Sequence, residues 1–488
     1  MKILKERTRL IFTEFTEPEK KYLEDLVASM DNVFMYIDPD GEKLGLPTGM
    51  EATVKRVFPK AEFIDRSNEY WPYTTIAPVE HNAKPRNQLQ IDFIDFVLKN
   101  AGQKQKLAGI LGVGTGKTFM ACYSAIKVGL RTLIIAPTSS IKKQWADTLT
   151  GMFKVDPSRV LLVTTPKQFI NVKADFVIVS QASLAVLNKT YDLEKIMKDN
   201  RFGIKIIDEV QMFFKNIIQT DANSNIANNW YLTGTFGRSA DKENKLFHEM
   251  FGDLAIFEEK QKKPTIFNPK PGNVYGMKPH VNTKMIWMSS HLSEEEISKV
   301  TSAMRYSERE GKWMRMGISV PAYTDLIIPD DGSITPYMKV LFDVIRMADR
   351  EVKYGSMLVL CSTISSSETV AEHCTKMFPN KKIGVINSNF SVQENENTKK
   401  TCDIVVSTVA SAGTGFDMKG LAKLILVQPL KSWVLTTQIV GRLRRRDDGK
   451  ETYFYDICDK SIRQLRAWAN ARADVEKRMS KSFKVVDM

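Results

Sequence analysis

Twice along this chain, short apolar runs alternate with amphipathic stretches, and that pattern limits the possible folds more than any other feature. LAGILGV, TLIIAPT, VLLVTT, DFVIVS, IKIIDE and WYLTGT make up the first series, between Arg86 and about Ile256. MLVLCST, KIGVINS, DIVVSTV, KLILVQP and TYFYDIC make up the second, from Pro336 to near the C-terminus. Runs apolar on both faces and separated by helix-length segments predict parallel sheets with helices packed on each side. The expected class is therefore α/β, with two parallel-sheet lobes. The two series share a type of pattern but no repeated sequence, which argues for two related lobes and against a solenoid.

With 488 residues, the chain is long enough for two to four domains. Residues 1–85 read as a small N-terminal α+β module. Thr16 and Glu19 form a capping box ahead of the helical face carrying Tyr22, Leu23, Leu26, Val27 and Met30. Two short strands flank the turn residues Asp38, Pro39, Asp40 and Gly41, and a second helix and a strand at Ala61 to Ile64 complete the module. Lobe 1 is assigned to 86–256 and lobe 2 to 336–488. Between them, 257–335 is expected to be an inter-lobe connection with an insertion, because EEKQKKPTIFNPKPGNVYGMKPHVN is rich in Lys and Pro and lacks periodicity. A helix from Glu294 to Glu310, capped by Ser293 and Glu296, is expected within it.

Hydrophobic residues at 43% and charged residues at 26% are proportions of a folded soluble protein. The longest apolar runs, such as Leu421 to Val427, are too short to span a membrane, and MKILKERTRL has charges where a signal peptide needs an apolar stretch. No membrane partner and a cytoplasmic location are expected. Five scattered cysteines without C-x-x-C spacing support neither a disulfide framework nor a zinc site. A net charge of +13 favours a polyanionic partner.

The chemistry begins at GVGTGKT, Gly112 to Thr118, between an apolar strand and the helix that starts at Phe119. Glycines there let backbone N–H groups turn around a phosphate, and the helix N-terminus adds its positive end. Gly114, Thr115, Gly116, Lys117 and Thr118 are the candidate phosphate cradle, with Lys117 on the β- and γ-phosphates and the Thr118 hydroxyl on Mg2+. Leu111 stands where the strict motif has glycine. Asp208 and Glu209 follow the apolar strand IKII, where the first acid can hold magnesium and the second can take a proton from the attacking water. In QIVGRLRRR, Gln438, Arg442 and Arg445 are candidates for neutralising the transferring phosphoryl group.

In order, GVGTGKT, IIAPT, DEVQ, TGT, STVASAGTGFD and QIVGRLRR resemble motifs I, Ia, II, III, V and VI of superfamily 2 helicases. The resemblance implies two RecA-like lobes, ATP and Mg2+ as cofactors, and a monomeric motor that translocates on nucleic acid. Size and the small N-terminal module look most like phage-encoded branch-migrating DNA helicases of the UvsW type. That implies branched or duplex DNA as partner and a role in recombination or repair, in the host cytoplasm if the chain is phage-encoded. The alternatives are an RNA helicase and a P-loop nucleic-acid-binding scaffold without turnover.

The family's roles carry over to matching positions. Lys117, Asp208, Glu209, Gln438, Arg442 and Arg445 would be catalytic, with Thr118 and Asp208 as metal ligands. Gln211 would sense the γ-phosphate, and Gly415 and Asp417 would meet the nucleotide from lobe 2. Thr233 and Thr235 would couple the lobes. Of Gln88 and Gln90, which compete as the adenine reader, Gln90 is preferred. Thr138, Ser180, Gln181, Thr408 and Ser411 are expected near the strand. Phe213 and Phe214 are better read as core than as a base wedge. The N-terminal module is expected to grip duplex DNA, with Arg7, Arg9, Lys55 and Arg56 as phosphate contacts.

Overall fold

The computed structural model describes residues 1–28, 36–37, 44–103, 106–112, 114–212, 214–234, 247–248, 250–260, 273–274, 279–301, 304–307, 312–315, 317–412, 418, 420–443 and 448–488. The chain divides into two compact units, Met1–Gly276 and Met277–Met488.

In the first unit, parallel strands run in the order Ala255–Lys260, Leu107–Ile110, Asn228–Thr233, Ile204–Asp208, Thr132–Ala136, Phe176–Ser180 and Val160–Leu162. Asn273–Val274 joins antiparallel at one edge. Alternation along the strands splits the core into two layers. Ile134, Ile178 and Ile206 pack with Phe93, Met120 and Trp145 from the helices Gln88–Gly102, Lys117–Val128 and Ser139–Asp147. On the other face, Leu133, Val179 and Ile207 pack with Leu184, Met197 and Ile217 from Gln181–Thr190, Leu193–Asp199 and Phe214–Ala222. Because all the central strands point the same way, the segments after Ile110, Ala136, Ser180, Asp208 and Thr233 gather along one edge of the sheet, the usual place for a ligand in such folds.

The N-terminal residues form a mixed sheet in the order Tyr36–Ile37, Leu44–Pro47, Arg9–Thr13, Lys2–Lys5 and Glu62–Asp65. Glu19 reaches back to Thr16 as expected, accepting from its backbone N–H at 2.8 Å and from its hydroxyl at 2.9 Å. This sheet is not set apart from its neighbour: Leu10, Phe12, Leu44 and Leu46 belong to the same apolar core as Leu184 and Ile217. Polar contacts fasten the junction. The Thr8 hydroxyl donates to the Ser224 carbonyl at 2.6 Å, and the Arg9 guanidinium donates to the Ala222 carbonyl at 2.7 Å while pairing with Glu194 at 2.8 Å. Arg9 is only 3% exposed, so the expectation of a phosphate contact at that position is wrong: its charge is consumed by Glu6 and Glu194. Lys55 pairs with Glu51.

All strands of the second unit's main sheet are parallel, in the order Ile383–Ile386, Ile404–Thr408, Ser356–Cys361, Leu421–Leu426, Thr452–Asp459, Val281–Met288 and Ser480–Asp487. Two expectations are corrected here. The span 257–335 is not simply a connection, since Val281–Met288 is inserted between the two C-terminal strands and buries Val281, Met285, Ile286 and Met288. The helix capped by Ser293 and Glu296 stops at Thr301, and Met304–Ser307 pairs antiparallel with Lys312–Arg315 where further helix was expected. Among the described residues, no helix is long and apolar enough to cross a membrane, and all five cysteines are free.

Candidate nucleotide-binding site

Strand Leu107–Ile110 delivers the glycine-rich loop to the helix Lys117–Val128. Gly114 and Gly116 have φ of 81° and 92°, values that side chains with a Cβ adopt at a cost. Gly116 is doubly constrained, because a Cβ there would lie 2.6 Å from the Gln90 amide nitrogen. That amide donates to the Thr115 carbonyl at 2.9 Å, and the Gln90 oxygen accepts the Arg86 N–H at 2.8 Å. Gln90 is buried, whereas Gln88 is exposed and bonded to Asp92, so Gln90 is the one that reaches the loop. Thr115 closes the turn by donating its hydroxyl to the Gly112 carbonyl at 2.9 Å, and Thr118 follows Lys117 in the helix's first turn.

Lys117 Nζ donates to the Leu111 carbonyl at 3.1 Å and stands 3.9 Å from Glu209 Oε1, an arm's length from the acidic pair. Asp208 ends the strand Ile204–Asp208 and is almost completely buried. One of its oxygens accepts the Trp145 indole N–H at 2.9 Å and the other accepts the Glu209 backbone N–H at 3.0 Å. Burial, with the Glu209 carboxylate beside it, pushes the Asp208 carboxyl up to about 6, against the opposing pull of Lys117 and the indole. Glu209 itself has a φ of 51°, a left-handed backbone uncommon outside glycine and often found where a functional site stores strain. Gln211 donates to Glu209 and accepts from the Thr233 hydroxyl, so the ends of two neighbouring strands are joined by one chain of hydrogen bonds.

This donor set suits a phosphate with a hard divalent cation. The loop supplies backbone N–H groups, and a buried carboxylate whose ionisation is disfavoured gains from a cation beside it. Among the described residues, no cluster of three or more His, Cys, Asp or Glu could cage a metal alone. Magnesium needs no such cage, since it is commonly held by one or two carboxylates, water and substrate phosphates. Thr118 and Asp208 are the residues that would hold it.

Residues 87–238, which enclose Gln90, Lys117, Asp208 and Thr233, match the DEAD/DEAH box helicase family. A protein named as a helicase, 161L of Invertebrate iridescent virus 6, is 23% identical over 371 residues, covering 71% of each chain. Among solved structures, a fragment described as an HsdR subunit of a type I restriction enzyme from Vibrio vulnificus YJ016 superposes with a TM-score of 0.51 at 15% identity, over 84% of this chain and 70% of that one. The S. cerevisiae Dbp5 structure bound to RNA and ADP BeF3 also gives 0.51, at 11% identity, over 82% and 94%. The likeness to these structures is one of fold, two RecA-like parallel-sheet lobes, and the helicase family match lies within the first of them. T4 UvsW is 14% identical over 100% of this chain and 99% of that one, but its TM-score of 0.34 carries no argument for that subtype.

Within this fold, the structure sorts the remaining candidates. Thr138 and Ser180 cap helices, accepting the backbone N–H groups of Ile141 and Ser183 at 3.3 and 3.1 Å. Gln181 is 2% exposed, and neither of its amide atoms has a partner among the described residues. In the second unit, Thr408 accepts the Ser411 N–H at 3.0 Å at the end of its strand. Gln438 lies in the helix Trp433–Val440, and Arg442 follows just beyond it. Thr235, Phe213, Gly415, Asp417, Arg444, Arg445 and Arg446 lie outside the described residues, and of Phe214 only the helical backbone is described. Trp145 was missed by sequence reasoning. Its spacing from Ile141 and Leu149 marks a buried helix face, but nothing in that spacing says the indole meets Asp208.

Proposed function

We propose that this protein is an ATP-driven nucleic-acid motor of the superfamily 2 type whose substrate is RNA. The observation that carries ATP hydrolysis is the meeting of Lys117, Asp208 and Glu209 on one sheet edge, with Lys117 and Glu209 3.9 Å apart. Lys117 takes the charge of the β- and γ-phosphates. Glu209 accepts a proton from the water that attacks the γ-phosphorus, ADP leaves with the electron pair of the broken bond, and inorganic phosphate forms. Magnesium, when held by Thr118 and Asp208, neutralises phosphate charge during the transfer. Gln90 braces the loop beneath the nucleotide and is the candidate adenine reader. The Glu209–Gln211–Thr233 chain gives the γ-phosphate state a route to the neighbouring strand. The roles of Arg442 and Arg445 as arginine fingers, with Gln438 beside them, and of Gly415 and Asp417 at the nucleotide belong to the same proposal and rest on the motifs.

RNA is favoured by the relatives. A protein named as an ATP-dependent RNA helicase of Acanthamoeba polyphaga mimivirus is 25% identical over 211 residues, covering 42% of this chain and 37% of that one. The S. cerevisiae structure of like fold was bound to RNA. Junction-remodelling on DNA, the other reading, drew its support from an independent N-terminal grip on duplex. Burial of Arg9 and the core shared with lobe 1 weaken that support. ATP turnover measured with single-stranded RNA, duplex RNA, single-stranded DNA, duplex DNA and a four-way DNA junction decides between them. RNA is expected to stimulate turnover most; greatest stimulation by the DNA junction would overturn the RNA assignment.

A further inference from the structure

Asp208 is held by a residue that no helicase motif in this sequence explains. Trp145 lies in the helix Ser139–Asp147, which leaves the sheet edge at Thr138 and packs its apolar face into the core with Ile141, Leu149 and Phe153. The helix is pinned on its other side by Lys142, whose buried ammonium donates to the Val163 carbonyl. Trp145 itself is fully buried and its N–H reaches Asp208 Oδ2 at 2.9 Å. The Glu209 backbone N–H occupies Oδ1 at 3.0 Å, so the carboxylate plane is set by one donor on each oxygen. Of these two donors, the backbone N–H is fixed by the turn after the strand; the indole comes from a separate element 63 residues away in sequence.

We infer that Trp145 is a positioning residue for the carboxylate that holds the metal, an inference that rests on the ATPase reading above. A buried indole usually finds some acceptor for its N–H, and a backbone carbonyl would serve that need. Here the acceptor is the carboxylate that, with Thr118, would hold the divalent cation. Donors in this outer layer fix the direction of the ligand's free lone pairs, and their removal typically lowers metal affinity roughly 10- to 100-fold.

The test uses the full chain, saturating ADP and Mn2+ as the probe, with free Mn2+ read from its electron paramagnetic resonance signal. Trp145→Phe keeps an aromatic ring in the core and removes only the N–H donor. It is expected to weaken Mn2+ binding about tenfold or more, with ADP binding in the absence of metal retained. Because Trp145 acts through Asp208, the double variant Trp145→Phe/Asp208→Asn should bind Mn2+ no more weakly than Asp208→Asn alone. Trp145→His, which restores a ring N–H, should regain part of the affinity. Wild-type Mn2+ affinity in Trp145→Phe, additive losses in the double variant, or a His variant as weak as the Phe variant would each overturn the inference while leaving the ATPase reading intact. If Asp208→Asn also leaves Mn2+ binding unchanged, the metal site itself is misplaced and both readings fall.

Discussion

The strand Ile204–Asp208 carries a buried charge near each end, and the two charges are treated in opposite ways. At its start, Lys205 is completely buried yet fully engaged, donating to Asp221 at 2.6 Å and to the Ser224 hydroxyl, while Tyr231 donates to the other Asp221 oxygen at 2.8 Å. Thr8 and Arg9 bond the backbone of the same turn, so this cluster locks the N-terminal sheet onto lobe 1. At its end, Asp208 has hydrogen-bond donors but, among the described residues, no ion pair, Lys117 stays 3.9 Å from Glu209, and burial lifts the Asp208 carboxyl to about 6. A closed ion pair serves structure, whereas buried charge left short of compensation is an arrangement ready for a cationic or phosphate-bearing partner.

The largest effect expected from breaking this contrast is at the phosphate end. Lys117→Ala should lower ATP turnover on the order of a thousand-fold or more, because its charge acts where phosphoryl transfer is stabilised. The melting curve should change little, since among the described residues the Lys117 ammonium contacts the Leu111 and Gly112 carbonyls and makes a long ion pair. At the other end the order reverses. Lys205→Met strands the Asp221 carboxylate and should cost about 3–5 kcal/mol of stability, read from denaturant unfolding, while the folded fraction keeps turnover within a few-fold of wild type.

A smaller effect sharpens the comparison further. Ligand that binds only the folded chain raises its melting temperature. Mg2+ added with ADP should therefore raise the melting temperature of wild type and of Lys205→Met by similar amounts, a few degrees. Asp208→Asn should show the ADP shift without the added magnesium shift. Scanning calorimetry with and without Mg2+ checks this, and an equal magnesium shift in Asp208→Asn would detach that residue from the metal.

Much of this contrast was legible in the sequence at one end only. GVGTGKT and DEVQ sit directly after apolar strands, so their place on a shared sheet edge follows from parallel topology. That Gln90 and not Gln88 reaches the loop shows only in the packing, through the close approach to Gly116. Lys205 reads as an oddity in an apolar run, and its partner Asp221 lies in the last turn of the following helix, whose direction the sequence does not give. Arg9 looked like a surface charge because its partner Glu194 is distant in the chain. Val281–Met288 was hidden by the Lys- and Pro-rich segment before it and by strand partners near the C-terminus. The pattern is consistent: signals within one strand–loop–helix unit survive in sequence, and pairings across long separations do not.

The central claim is that the C-terminal end of the strand Ile204–Asp208 is where ATP is hydrolysed. Glu209→Gln tests it most directly, because the amide is nearly isosteric and removes only the proton acceptor. ATP binding and single-turnover hydrolysis should be measured on the same preparation in the presence of RNA. The account predicts near wild-type ATP affinity with hydrolysis reduced on the order of a hundred- to ten-thousand-fold, the range for losing a general base. Wild-type hydrolysis by Glu209→Gln would contradict it.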